Sequence, residues 1–346
     1  MTKSRSKNLL RIFLLVGTVI SLFYVPWTWL FAWMAPLSVS VQEEVNQGLE
    51  LGFEGIIVYV NQAGKEPQFY AAGWHDRDQK IPAYPQALFK IASISKLYDA
   101  VAIAKLVHAQ RLSLDQSLAE YFPEYADRIE HADQITLRML VQHRSGIPNY
   151  TNHPGFWENP PDSFEETMDL ILDLPAGFAP GEGYEYSNTN YLLISRIIKN
   201  ELGYPKFQFI QEEVLSPLGL KHTYGSFHEA KLEDLMSGYY EGIEEDIKTA
   251  EYGSMVSSAE DVGIFLRALN DGSLFKKGEK EIYSSIYVYD HTGLIPGYQS
   301  IAKYHQDLDA VVIQFTNTTN FEGMHWNLSE LIYSRILKII RREKGE

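Results

Sequence analysis

Ser93 and Lys96 stand three residues apart in Phe89-Lys90-Ile91-Ala92-Ser93-Ile94-Ser95-Lys96. On a helix that spacing sets an ammonium beside a hydroxyl on one face. Residues 94–107 are rich in Ala, Leu and Val and contain no Gly or Pro, which predicts a helix buried on most sides with a lysine at its entry. Burial without a partner moves a lysine from about 10.4 towards neutrality, and an unprotonated amine can take a serine's proton. The chemistry on offer is a nucleophile with its own base. The pattern alone carries little, because Ser-x-x-Lys recurs at Ser4, Ser273 and Ser300. Its setting has to decide.

Two further groups could share that setting: Tyr186-Ser187-Asn188, in a polar loop after Pro180-Gly181, and His291-Thr292-Gly293. Tyr-x-Asn recurs at Tyr59 and Tyr150, whereas His-Thr-Gly occurs once. The elements that must position them follow from periodicity. Ser40 and Glu43 form a capping-box pattern opening a helix, and strands are predicted at 55–60 and 68–73 around a turn at 61–65. Helices are expected at 135–143, 164–174, 190–202 and up to residue 269, then strands at 282–289, 299–304 and 309–316, and an amphipathic helix at 328–342. His291 would end the first of those returning strands. The fold class is therefore α+β: an antiparallel sheet built from both chain ends, flanked by helices, with a helical lobe inserted at about 100–250 and a cleft between.

Composition narrows the function. Acidic residues outnumber basic ones, 45 to 30, and a net charge of -15 repels phosphate backbones and anionic membrane surfaces, which argues against a nucleic-acid partner. With no cysteine, disulfides, thiolate catalysis and Cys-ligated metals are excluded. The ten histidines are scattered and no His-Glu-x-x-His occurs, so neither a metal nor another cofactor is expected.

Residues 1–38 differ in kind. Lys3, Arg5, Lys7 and Arg11 precede an uncharged run whose apolar part, residues 12–34, is long enough to cross a bilayer of about 30 Å, and Pro26 could kink it. The expectation is one transmembrane anchor with the N-terminus in the cytoplasm, followed by an extracytoplasmic body at 39–346. The rival is a cleaved signal peptide, for which the run is long and Ser38-Val39-Ser40 a mediocre cleavage site.

Across roughly residues 45–342 the chain resembles the serine hydrolases of the class C beta-lactamase and DD-peptidase family, which are penicillin-binding-protein-like. The likeness rests on the Ser93 phrase, Leu112-Ser113-Leu114-Asp115, Tyr121-Phe122-Pro123, His143-Arg144-Ser145-Gly146-Ile147-Pro148, Tyr186-Ser187-Asn188, Pro217-Leu218-Gly219-Leu220, and His291-Thr292-Gly293 with Pro296-Gly297-Tyr298, in the family's order. The resemblance implies that Ser93 is acylated while Lys96 and Tyr186 share the removal of its proton; which of them is the base stays open. A nearby ammonium would ease ionisation of the phenol. Asn188 would orient Lys96 and the substrate, with His291, Thr292 and Gly293 in the binding strand. The backbone N–H groups of Ser93 and Leu294 would hold the oxyanion, each worth about 3–4 kcal/mol. Ser95 would be a structural neighbour and His143 loop support.

The departures are informative. His291 replaces the lysine of typical beta-lactamases, and a neutral imidazole attracts a carboxylate less than an ammonium does. Asp290, Gln110 and Asn190 stand where glycine is common. A DD-peptidase or esterase is thus expected ahead of an efficient beta-lactamase, acting on a small peptide, amide or ester such as a peptidoglycan stem peptide. The alternative is an inactive relative that binds wall peptides or a protein partner.

Overall fold

The computed structural model describes residues 2–344, so residues 1, 345 and 346 of the two expected segments lie outside the described residues. Its frame is a six-stranded antiparallel sheet in the order Ile81–Pro82, Gln68–Asp76, Gly55–Gln62, Ala310–Thr316, Tyr298–His305, His291–Ile295. The two central strands come from opposite ends of the chain, paired with Ile56 against Thr316 and Val60 against Val312. That is the sheet expected from the sequence.

Side chains on a strand alternate between faces, and both faces here are covered. Ile56, Val58, Val60 and Val312 pack with Val45 and Ile336 of the helices Val41–Gly48 and His325–Lys344. Ile57, Tyr59, Ile313 and Phe315 face the larger core, with Phe265 of the helix Ala259–Asp271 and the helical lobe. Burial on both sides explains why the run Ile56-Ile57-Val58-Tyr59-Val60 shows no polar alternation. Ser40 caps the helix Val41–Gly48 by accepting the Glu43 N–H, and Gln110 takes a φ of +58°, the left-handed conformation for which glycine is the ordinary choice.

Two expectations change. The strand read at 282–289 is the helix Glu279–Ile286, so His291 opens a strand instead of ending one. Buried Tyr283 and Ile286 share a helical face, and buried Glu279 pairs with Lys105 at 2.9 Å, docking the segment on the helix Ser95–His108. The β-branched and aromatic composition suggested a strand, but these long-range contacts select a helix.

The single helix expected over residues 12–34 is two, Thr2–Leu22 and Trp27–Met34. They bend by 77° at a break containing Pro26, whose ring cannot continue a straight helix, and no single helix among the described residues is long and apolar enough to cross a membrane. The second helix rests on the body. Trp29 and Ala32 pack against the outer core, while Arg335, salt-bridged to buried Glu44, donates to the carbonyls of Ala35 and Pro36 at 2.9 and 2.7 Å.

Candidate active site

Ser93 lies in a one-turn 3-10 segment, Ala92–Ile94, directly ahead of the helix Ser95–His108. Ala92 holds a φ of +49°, left-handed for a residue with a Cβ, at a cost of about 1–2 kcal/mol. Its N–H is secured by Ser254 Oγ at 2.8 Å. The strand His291–Ile295 presses against this turn at Gly293, where a Cβ would sit 2.4 Å from Ile91 O and from Ser300 Oγ. Only glycine lets the third motif approach the serine so closely. Ser95 turns away and accepts the Met255 N–H at 3.3 Å, as a structural neighbour would.

Around Ser93 the expected groups converge. Lys96 Nζ lies 2.9 Å from Ser93 Oγ and 2.9 Å from Asn188 Oδ1, and the Tyr186 phenol donates to Ser93 Oγ at 2.7 Å. Lys96 also sits over the rings of Tyr186 and Tyr191, 5.0 and 5.4 Å from their centroids. His291, Thr292 and Leu294 line the same cleft, of about 600 Å³. His291 Nδ1 is 2.5 Å from the Thr292 carbonyl and its Nε2 2.9 Å from Tyr287 Oη.

Desolvation sets the electrostatics. Burial pushes Lys96 down to about 7, with Lys206 adding to the fall and Asp99 opposing it. Burial pushes the Tyr186 phenol up to about 12, against the hydrogen bond with Ser93. The eased ionisation expected of that phenol is therefore absent, because the ammonium that would favour phenolate is itself destabilised by the same dry surroundings. Of the two groups beside Ser93 Oγ, the Lys96 amine is the one held nearer neutrality. Burial, then the charge of Lys96, takes His291 down to about 4, so its imidazole is neutral.

The loop at 143–151 braces the segment that holds Tyr186 and Asn188. His143 stacks on Tyr186, ring centroids 4.3 Å apart, and accepts the Ser187 N–H at Nδ1. Pro148 O accepts the Thr189 hydroxyl at 2.7 Å, Asn149 Oδ1 accepts the Asn188 N–H at 3.0 Å, and Asn188 Nδ2 donates to Thr151 Oγ1 at 3.2 Å. Ser145 Oγ donates to buried Asn190 Oδ1 at 2.7 Å, which gives the side chain at this glycine-type position a partner. His143 is thus loop support, as expected.

Asn149, Thr151, Ser254 and Tyr287 were not singled out from the sequence. Tyr150, which opens one of the recurrences that weaken the Tyr-x-Asn pattern, lines the cleft with Phe156, Trp157 and Tyr252. Only its position between two motif phrases could have flagged it.

The Beta-lactamase family model matches residues 41–285. Among curated proteins, Protein flp of Staphylococcus aureus strain MW2 is 32% identical over 165 residues, 46% of this chain and 33% of that protein. A putative D-alanyl-D-alanine carboxypeptidase of Escherichia coli K12 is 26% identical over 194 residues, 52% of this chain and 45% of that protein. The chain thus spans less than half the length of these curated relatives. The D-amino acid amidase from Ochrobactrum anthropi SV3 complexed with L-phenylalanine amide superposes with a TM-score of 0.77 at 24% identity, covering 88% of this chain and 98% of that one. A penicillin-binding protein from Bacillus halodurans gives 0.71 at 19%, covering 85% and 98%. With the family match spanning more than half of the chain and the fold shared over most of it, this protein belongs to the Beta-lactamase family.

Proposed function

We propose that this chain is a serine hydrolase working through an acyl-serine intermediate on amide, peptide or ester bonds of D-amino-acid compounds. The observation that carries the reading is Ser93 Oγ held within 2.9 Å of the Lys96 amine and 2.7 Å of the Tyr186 phenol. The names of the amidase and carboxypeptidase relatives support the substrate class.

In the proposed reaction, Lys96 as the free amine takes the Ser93 proton while Oγ bonds to the carbonyl carbon. The oxyanion is held by the backbone N–H groups of Ser93 and Leu294. Collapse breaks the C–N or C–O bond as Tyr186 gives its proton to the leaving atom and recovers one from the Lys96 ammonium. Water then attacks the acyl carbon, its proton passes to the same pair, and the acid leaves with Ser93 restored. Asn188 holds Lys96 in place, and the aromatic wall of Tyr150, Phe156, Trp157 and Tyr252 suits an apolar acyl group.

The proposal extends to location: residues 1–38 anchor an extracytoplasmic body at 39–346. Support comes from the basic residues ahead of the apolar run and from its exposed side chains, such as Phe13 at 74% and Phe23 at 83%. For this the bent helix pair must together occupy the bilayer. Resistance of the chain to carbonate extraction from membranes, with release by detergent, is the expected result.

Intact mass of the full chain in detergent, after a serine-reactive phosphonate and separately a penicillin, tests the chemistry. One phosphonate adduct, lost in Ser93→Ala, is expected, and a persistent penicillin adduct would mark a peptidase rather than a lactamase. A folded chain that takes neither reagent is a binding module.

A further inference from the structure

The segment that joins the apolar run to the body is strapped down by buried charge. Arg335, paired with Glu44 in the interior, also donates to the carbonyls of Ala35 and Pro36, 2.9 and 2.7 Å away. Further along the same helix, Arg342 donates to the carbonyls of Ser38 and Val39 at 2.9 and 2.8 Å, and the buried Ser38 hydroxyl donates to Glu44 at 2.8 Å. A flexible tether needs none of these partners. Residues 35–39 therefore fix the helix Trp27–Met34 in one place on the outer core.

The helix so held is apolar on two sides. Trp29 and Ala32 face the body, while Trp27, Phe31 and Met34, spaced to share the opposite face, are 42%, 63% and 66% exposed. Trp27 stacks on Phe31, ring centroids 5.6 Å apart, and Trp33 flanks them. What covers this face follows from continuity. The chain carries no charged residue from Ile12 to Gln42, and the exposed Phe23 and Tyr24 link the helix Thr2–Leu22 to this one, so the medium that receives the first helix also meets the outer face of the second. The bend of 77° sets their roles apart: with the first helix near the bilayer normal, the second lies close to the bilayer plane, at the level where tryptophan is favoured.

We propose that Trp27–Met34 is an in-plane helix seated in the outer headgroup region of the bilayer, and that the Arg335 and Arg342 strap turns it into a rigid mount for the body. The inference rests on the anchor reading of residues 1–38 and is independent of the chemistry at Ser93. The layers then stack outward from the membrane: the mount, the helices Val41–Gly48 and His325–Lys344, the sheet, and the helical lobe farthest out. At about 10 Å per layer the lobe stands roughly 30 Å above the mount, so the hydrolase works at a fixed height instead of swinging on a leash. With a net charge of -15 on the chain, the seat is apolar rather than electrostatic.

The cysteine-free chain suits single-cysteine labelling. The full chain, reconstituted in phosphatidylcholine vesicles, carries an environment-sensitive dye at Phe31→Cys on the outer face of the mount or at Glu124→Cys, exposed on the lobe. Nitroxides placed shallow or deep on the lipid chains then report depth. Expected is quenching at residue 31 that is stronger from the shallow nitroxide than from the deep one, no quenching at residue 124, and the same pattern when anionic lipid is added. Arg335→Leu with Glu44→Leu replaces the buried pair by apolar side chains and frees the strap. Energy transfer from the dye at residue 124 to acceptors on the lipid headgroups should then rise about twofold or more, as the body swings on a loosened linker. Arg342→Ala, at the surface, should raise it less and decides the point if the double variant does not fold. Stronger quenching at residue 31 from the deep nitroxide, a face covered by a second copy with no lipid quenching, or unchanged transfer in folded variants overturns the inference, while retention of the chain in carbonate-washed membranes leaves the anchor reading intact. Release by carbonate overturns both.

Discussion

Lys96 and Lys105 lie on one face-to-core helix, about two and a half turns apart, and both are buried. Lys105 ends against Glu279, 2.9 Å away, with each side chain about 5% exposed or less. Lys96 makes no ion pair among the described residues, because the carboxylate one turn on, Asp99, is taken by Lys206. One ammonium is structural and the other is driven down to about 7. Burial by itself does not make a base; burial with the nearest countercharge already occupied does.

That contrast can be broken at three places. The largest effect is expected from Lys96→Ala, which should cost on the order of 10⁴-fold in kcat/KM while leaving Tm unchanged or higher, since an unpaired buried cation is removed. A comparable loss in Lys105→Ala with the fold intact would erase the distinction.

Next is Glu279→Ala, which strands Lys105. Urea unfolding should show a loss of about 3–5 kcal/mol, whereas replacing both partners by apolar residues, Lys105→Met with Glu279→Leu, should come close to neutral. The pair also carries a pH signature. Burial alone would raise the Glu279 carboxyl, but the Lys276 N–H and the Lys105 ammonium outweigh it and hold it below the usual range. Its contribution is therefore present above the ordinary carboxyl pKa and lost as pH falls through the lower folded value.

The smallest effect sharpens the base assignment. The rate of acylation should rise with pH through about 7 as Lys96 loses its proton. Lys206→Ala removes a charge that depresses Lys96 and uncovers Asp99, which favours the ammonium. The rising limb of kcat/KM should move to higher pH by about 0.5–1 unit. A limb that stays in place would mean that another group is titrating.

Much of this arrangement was legible in the chain. The apolar run after Ser93 predicted a helix at 94–107, and the structure has Ser95–His108. Strands near both ends implied a sheet closed from both ends, and Gly55–Gln62 does pair with Ala310–Thr316. Ser93, Lys96, Tyr186, Asn188 and the His291 strand meet at one cleft because each motif falls at an element boundary facing it. Residues 282–289 read as a strand because Tyr and Ile favour strands on composition alone, while the helix Glu279–Ile286 is docked through the pair of Glu279 with Lys105, far away in sequence. The N-terminal run was read as one span, where Pro26 and the docking of Trp29 and Ala32 on the outer core leave two helices.

What the sequence determined by itself was local: which residues repeat at helical or strand period, where caps and turns fall, and which side chains have the functional groups for acyl transfer. These depend on neighbours within a few positions. What only the tertiary structure decided was protonation and direction: that Lys96 rather than Tyr186 titrates near neutrality, and that both His291 nitrogens point inward to Thr292 and Tyr287. Desolvation and hydrogen-bond pairing belong to groups brought together from distant parts of the chain, and no local pattern encodes them.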